Sequence, residues 1–216
     1  MKKLIVFDAD GVLIKERASW IAVHKGLGKE VIKRCSKLRE KYFSSSKMSY
    51  ETWAKKDIKL WGDVNLKKIE KILNKVPFMK GAEETCQILR KKGYLLAIIS
   101  SGINVLVERI KKKFNFDYAI CNEIYEENNK LLVKINVSPD KNPKDKILKK
   151  LIRKIGVKKN NIIVIGDNDD DYPMMKLTDF SILFNPDPNK SSLAKKIAKV
   201  VVKSKDLRDI LHYFKN

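Results

Sequence analysis

Two patterns of apolar residues alternate along the chain. Short unbroken runs occur at KLIVFD (3–8), YLLAIIS (94–100), NIIVIGD (161–167), FSILF (180–184) and KVVV (199–202). Because these runs do not alternate with polar residues, they predict strands covered on both faces, as in a parallel sheet. Between them, residues 81–93, 104–114, 143–156 and 206–214 carry apolar positions at helical spacing, with Gly93 and Gly156 where helix-ending glycines belong. Strands alternating with helices predict an α/β fold with an open parallel sheet.

Residues 15–76 break the alternation. Trp20, Ile21, Val23, Leu27, Val31, Ile32, Cys35 and Leu38 recur at spacings of three and four, which predicts consecutive helices. A serine cluster at 44–49 interrupts them, and Ser49 is placed to cap the next helix. The expected organisation is an α/β core of residues 1–14 and 77–216 with a helical insertion, 15–76, after the first strand. From Tyr118 to Val137 the sequence reads as a β-hairpin turning at Asn128-Asn129, a pair that tolerates tight turns.

Charge changes the picture next. The chain has 47 Lys+Arg against 26 Asp+Glu, a net +21, and residues 15–76 alone hold 17 Lys/Arg and 7 Asp/Glu. The resulting field favours anionic partners, among which charge does not choose: nucleic acid, acidic lipid and small phosphates all qualify. Cys35, Cys86 and Cys121 are widely spaced without a CxxC, which predicts free thiols in a reducing compartment. No apolar stretch approaches the length of a membrane span and no signal-peptide plan opens the sequence, so a cytoplasmic location is expected.

Against that basic background, negative charge gathers at two strand ends. Asp8 and Asp10 close the first strand, and Gly11 lets the backbone turn away; VIGDNDDDYPMM (164–175) places Asp167, Asp169, Asp170 and Asp171 after another. Ligands of open α/β sheets bind beyond the carboxyl ends of the strands. With a period of two, Asp8 and Asp10 are expected on one side, converging with Asp167. Carboxylates sharing a site raise one another's pKa unless a cation relieves them, and Mg²⁺, with its preference for oxygen ligands, suits the arrangement. Taken alone, the 167–171 segment also fits an acidic helix start facing the helix dipole.

FDADGV (7–12), IISSG (98–102), Lys144 in NPKDKIL and GDNDDD (166–171) together resemble, in order, the four motifs of the haloacid dehalogenase superfamily of phosphohydrolases. The resemblance spans nearly the whole chain and is greatest to the phosphoserine phosphatase group, with its small helical cap, a KGAEET segment and a hairpin; it implies a Rossmann-like sheet, with residues 1–14 and 77–216 as the catalytic core and 15–76 as the inserted cap. It implies a Mg²⁺-dependent phosphomonoesterase with Asp8 as nucleophile and Asp10 as acid and base, Asp10 also offering its backbone carbonyl to the metal. Ser100, Ser101, Gly102, Lys144 and Asp170 would hold the phosphate. Asp8, Asp10 and Asp167 would hold the metal, and Asp171 would anchor the loop or hydrogen-bond Lys144. Where the group carries a substrate-reading acid and a cap arginine, this chain has Arg17 beside Glu16, and Lys56 beside Asp57. Arg17, Lys55 and Lys56 therefore suit an additional anionic group on the substrate rather than phosphoserine.

Other chemistries find little material. His24 and His212 are too few for a histidine metal cluster or a Ser-His-Asp triad, and GxSxG is absent. Trp20, Trp53, Trp61, Tyr42, Phe43 and Tyr50 read as a cap core at helical spacing rather than base-stacking residues. A basic nucleic-acid-binding module with a vestigial metal site is the alternative of another class, although no binding motif supports it. A phosphomutase or phosphotransferase is the alternative with the same chemistry.

Overall fold

A computed structural model of the 216-residue chain describes residues 2–44 and 47–214. Five of its strands are the apolar runs: β1 (Lys3–Phe7), β2 (Tyr94–Ile103), β5 (Ile162–Gly166), β6 (Phe180–Phe184) and β7 (Val200–Val202). Two more, β3 (Tyr118–Glu127) and β4 (Lys130–Lys134), form the hairpin. The sheet order is β4-β3-β2-β1-β5-β6-β7, with every neighbouring pair parallel except β3 and β4. Leu4, Ile5, Val6 and Phe7 are fully buried in the central strand, where each contributes about 1.5–3 kcal/mol of hydrophobic stabilisation.

The hairpin is part of the sheet rather than an appendage. Tyr118, Ala119 and Ile120 pair with β2, and the same strand runs on to pair with β4. Asn128 and Asn129 both adopt positive φ, 50° and 59°, the conformation a two-residue turn between twisted strands requires.

Residues between β1 and the sheet's second strand form α1 (Ser19–Leu27), α2 (Lys29–Ser44), α3 (Tyr50–Leu60) and α4 (Leu66–Leu73). Ser49 caps α3, its hydroxyl accepting from the Thr52 N–H at 3.2 Å. Trp20, Tyr50, Trp53 and Trp61 are buried together, continuous with the hydrophobic core under the sheet. The flanking helices α5 (Ala82–Lys91), α6 (Asn104–Phe114) and α7 (Lys144–Ile155) fall where periodicity predicts them. Two short helices, α8 (Tyr172–Met175) and α9 (Ser192–Ile197), carry no such signal. The last segment, expected as an α-helix over 206–214, is a 3₁₀ helix, Leu207–Tyr213. Its entry is fixed by the Leu207 N–H donating to the Lys80 carbonyl at 2.8 Å, a tertiary bond that spacing does not register.

The chain leaves β1 for β2 on one side and reaches β5 on the other, so β1 is the topological switch point. The crevice beyond its carboxyl end is where a ligand belongs. Among the described residues, no helix is long and apolar enough to cross a membrane. The three cysteines are free and buried.

Candidate active site

Parallel register brings the ends of β1, β2 and β5 level. Phe7 lies opposite Ile98 and Ile165, so Asp8, Ser100 and Asp167 emerge together at the switch point. Asp8 is 3% exposed and Asp167 and Asp171 are fully buried, with oxygens of the three carboxylates within 4.8 Å of one another. Lys144, the first residue of α7, lies between them. Its ammonium is 3.0 Å from Asp8 Oδ1 and donates to Asp171 Oδ1 at 2.7 Å.

Asp171 is held from both ends. Its second oxygen accepts the N–H of Asp167 at 2.9 Å, so the acid closes the 167–171 loop as well as pairing with Lys144. Gly166 makes room for it, since a Cβ there would collide with the Asp171 carboxylate. At Gly11 a Cβ would strike the Asp167 carboxylate, and its φ of +77° is one only glycine adopts at little cost. Both glycines are therefore conditions of the acidic cluster.

The third acid beside Asp8 and Asp167 is the Asp171 side chain and not that of Asp10, contrary to expectation. The reason is local: β1 ends at Phe7, and a turn with the Leu13 N–H donating to the Ala9 carbonyl at 2.9 Å ends the period of two. Asp10 instead turns to the start of α1, where Oδ2 accepts from the Ser19 N–H at 2.8 Å and its hydroxyl at 3.0 Å. Asp10 Oδ1 is buried with no partner among the described residues. Ser100 is 1% exposed, and its hydroxyl accepts from the Gly102 N–H at 3.1 Å. The Ser101 carbonyl collects donors from Trp20, Tyr50 and Asn122, tying α1 and α3 to the sheet.

A cavity of about 360 Å³ opens over Asp8 and Asp10, walled by Trp20, Tyr42, Tyr50 and Trp53, with Ser101 and Asp170 also on its lining. The aromatic cluster thus both packs the helices of residues 15–76 together and walls the cavity. Its cations are Arg17, Arg39 and Lys190. Arg39 and Lys190 both stack on the exposed ring of Phe43, at 5.5 and 4.4 Å. Lys55 and Lys56, expected to face an anion, do not line the cavity. Both are exposed, because the phase of α3 buries Trp53, Ala54, Asp57 and Ile58 instead, and Lys55 pairs with Glu51 at 2.7 Å. Glu16 pairs with Lys25. Arg17 reaches the acidic cluster itself, donating to Asp167 Oδ2 at 2.5 Å and to the Asn185 carbonyl at 2.9 Å.

The electrostatics follow from burial. Desolvation, opposed by Lys144, pushes the Asp8 carboxyl up to about 7, and neighbouring Asp171 and Asp10 add to the rise. Burial raises Asp10 to about 6 against the two bonds from Ser19. Asp167 is driven well above the ordinary carboxylate range by burial and by Asp171 and Asp8, with Arg17 opposing. An oxygen-only donor set with more buried carboxylates than buried cations fits a hard divalent ion.

These shifts fix a sign. A carboxyl whose folded pKa exceeds its ordinary value of 3.8 keeps a proton that the unfolded chain releases. The resulting penalty is absent below about pH 4 and complete above about pH 7. Without divalent metal, wild-type stability relative to Asp8→Asn should therefore decline as pH rises from about 4 to 8. Thermal melts of both proteins across that range check it, and a rising difference would contradict the burial account.

His24 also lines the cavity, and the structure brings it to Cys35 and Asp57, giving a second cluster that the small number of histidines had seemed to exclude. The three residues come from α1, α2 and α3 with no shared spacing, so no sequence signal marks them.

The sequence profile of the haloacid dehalogenase-like hydrolases matches residues 2–178. The chain is 32% identical over 216 residues to the phosphoserine phosphatase of Methanocaldococcus jannaschii, covering 99% of this chain and 98% of that protein. A solved structure described as a phospho-aspartyl intermediate analogue of phosphoserine phosphatase superimposes with a TM-score of 0.82 at 30% identity, covering 99% of both chains. A substrate-bound phosphoserine phosphatase complex matches equally, with a TM-score of 0.82 at 28% identity over 100% of this chain and 99% of that one.

Proposed function

The chain belongs to the haloacid dehalogenase-like hydrolase family, and we propose that it is a Mg²⁺-dependent phosphomonoesterase with Asp8 as its nucleophile and the helices of residues 15–76 as its cap. The observation that carries this reading is the buried group of Asp8, Asp167, Asp171 and Lys144 at the switch point, beneath a cavity of about 360 Å³. Asp8 and Asp167, with the Asp10 carbonyl, would hold the ion. Bound there, Mg²⁺ supplies the positive charge that keeps Asp8 ionised and offsets charge on the phosphoryl oxygens.

In the first step the Asp8 carboxylate attacks phosphorus, an aspartyl-phosphate forms, and the ester P–O bond breaks. Asp10 gives its proton to the departing oxygen. In the second, Asp10 takes a proton from the water that attacks the aspartyl-phosphate, releasing inorganic phosphate and regenerating Asp8. A carboxyl raised to about 6 can serve in both protonation states near neutral pH. Ser19 fixes its orientation. The Ser100 hydroxyl, with backbone N–H groups of the following residues, hydrogen-bonds the phosphoryl oxygens, and Lys144 balances their charge. Asp171 positions Lys144 and holds the loop carrying Asp167.

The substrate is a small phosphomonoester bearing an additional anionic group. Arg17, Arg39 and Lys190 on the cavity lining support this, the last two having no carboxylate within salt-bridge distance among the described residues. A phosphate-release screen with and without Mg²⁺, across phosphorylated amino acids, sugar acids, sugars and nucleotides, tests both halves. The expected result is release that requires Mg²⁺ and favours esters with a second anion over phosphoserine, by about tenfold or more in kcat/KM. Phosphoserine as the preferred substrate would overturn the reading of the cap, and metal-independent release would overturn that of the site.

A further inference from the structure

We propose that His24, Cys35 and Asp57 form a second metal site, in the helical cap, for a borderline-soft divalent cation of the zinc type. The three side chains come one each from α1, α2 and α3, and one donor atom from each lies within 4.8 Å of the other two. All are buried, His24 at 5% exposure and Cys35 and Asp57 at zero. Nitrogen, sulfur and oxygen donors together do not suit Mg²⁺, the ion for the oxygen-only cluster under the cavity. They are a ligand set for zinc and its neighbours.

Asp57 supplies an independent observation. Its Oδ2 is 2.7 Å from His24 Nε2 and accepts from Trp61 Nε1 at 3.2 Å. Its Oδ1 is buried without a hydrogen-bond partner among the described residues. Leaving a buried carboxylate oxygen unsatisfied carries its full desolvation penalty, which a bound cation removes.

Binding puts M²⁺ in the place of two protons: the thiol proton of Cys35 leaves to solvent, and the Nε2 proton that His24 donates to Asp57 passes to Nδ1 by a change of tautomer. His24 also lines the active-site cavity, so hydrated ions and the released proton have a path. Metal–ligand bonds of about 2.0–2.3 Å place two ligand atoms of one tetrahedral ion about 3.3–3.8 Å apart. The His24–Asp57 contact, now 2.7 Å, must lengthen by about 0.6 Å or more to admit the ion, and the remaining donors must close in. The consequence is a clamp on α1, α2 and α3, whose Trp20, Tyr50 and Trp53 wall the cavity.

The test uses Co²⁺ added to the metal-free full chain, in wild type and in Asp167→Asn, where the oxygen-only cluster is disabled. The expected result is a thiolate-to-cobalt charge-transfer band of one equivalent in both proteins, with a rise in Tm. The band disappears in Cys35→Ser, and Asp57→Asn and His24→Gln weaken Co²⁺ affinity about tenfold or more. If Cys35→Ser does not fold, the other two variants carry the test. No band in wild type means a buried hydrogen-bonded triad only, and a band surviving in Cys35→Ser belongs to Cys86 or Cys121; either result overturns the site. Because Asp8→Asn leaves this cluster intact and should keep the band, the test stands apart from the phosphatase reading.

Discussion

Asp8→Asn is expected to lower Mg²⁺-dependent phosphate release by about 10⁴-fold or more while leaving the protein folded. The amide cannot attack phosphorus, so no substrate concentration should restore turnover. The same change should not cost stability above neutral pH without metal, because ionised Asp8 is itself unfavourable in its buried place. Its carboxyl is raised to about 7 despite Lys144. The asparagine oxygen can still accept from the lysine. Steady-state kinetics and a melt at about pH 8 check both halves. Retained turnover would remove Asp8 as nucleophile, and a large drop in Tm would mean that the carboxylate mainly holds the fold.

Lys144→Met is expected to damage stability as well as activity. Lys144 is 4% exposed, and its ammonium is the cation shared by Asp8 and Asp171, at 3.0 and 2.7 Å. An apolar replacement of similar length keeps the packing and leaves two buried carboxylates uncompensated. Breaking such a group from one side costs on the order of 3–5 kcal/mol. The loss should be greatest above about pH 7 and smaller near pH 5, where Asp8 already carries a proton. Turnover should fall by roughly 10²–10³-fold through lost stabilisation of the phosphoryl charge. Denaturant melts at the two pH values decide the matter. Equal stability of variant and wild type at the higher pH would show that Lys144 does not neutralise the cluster.

The strands were legible because burial on both faces leaves a continuous apolar run, and the Asn128-Asn129 turn because positive φ restricts the residues that can occupy it. The acids were legible because charge at the end of a run such as LIVF is costly without a partner. What sequence could not supply was direction. Strand periodicity turns Asp10 to the same side as Asp8 and Asp167, but the strand stops at Phe7, and the Asp10 carboxylate is taken up by Ser19 at the start of α1. Both Asp8 and Asp10 line the cavity, and only Asp8 joins the buried cluster. Arg17 was expected to face a substrate anion; it lines the cavity, yet its closest partner is Asp167, brought to it by the sheet. Lys55 and Lys56 were read by charge alone, whereas the phase of α3 decides that they meet solvent. His24, Cys35 and Asp57 meet only when three helices pack, so no pattern along the chain announces them.

Hydrolysis by this site requires the phosphoryl group to pass through the Asp8 carboxylate. The most direct measurement is rapid acid quenching during turnover with Mg²⁺, followed by mass analysis of the peptide carrying residues 3–15. One added phosphoryl group on Asp8, absent in Asp8→Asn and without Mg²⁺, is the predicted result. A phosphoryl group on Ser100 or Ser101, or steady turnover with none on the protein at any quench time, would contradict it.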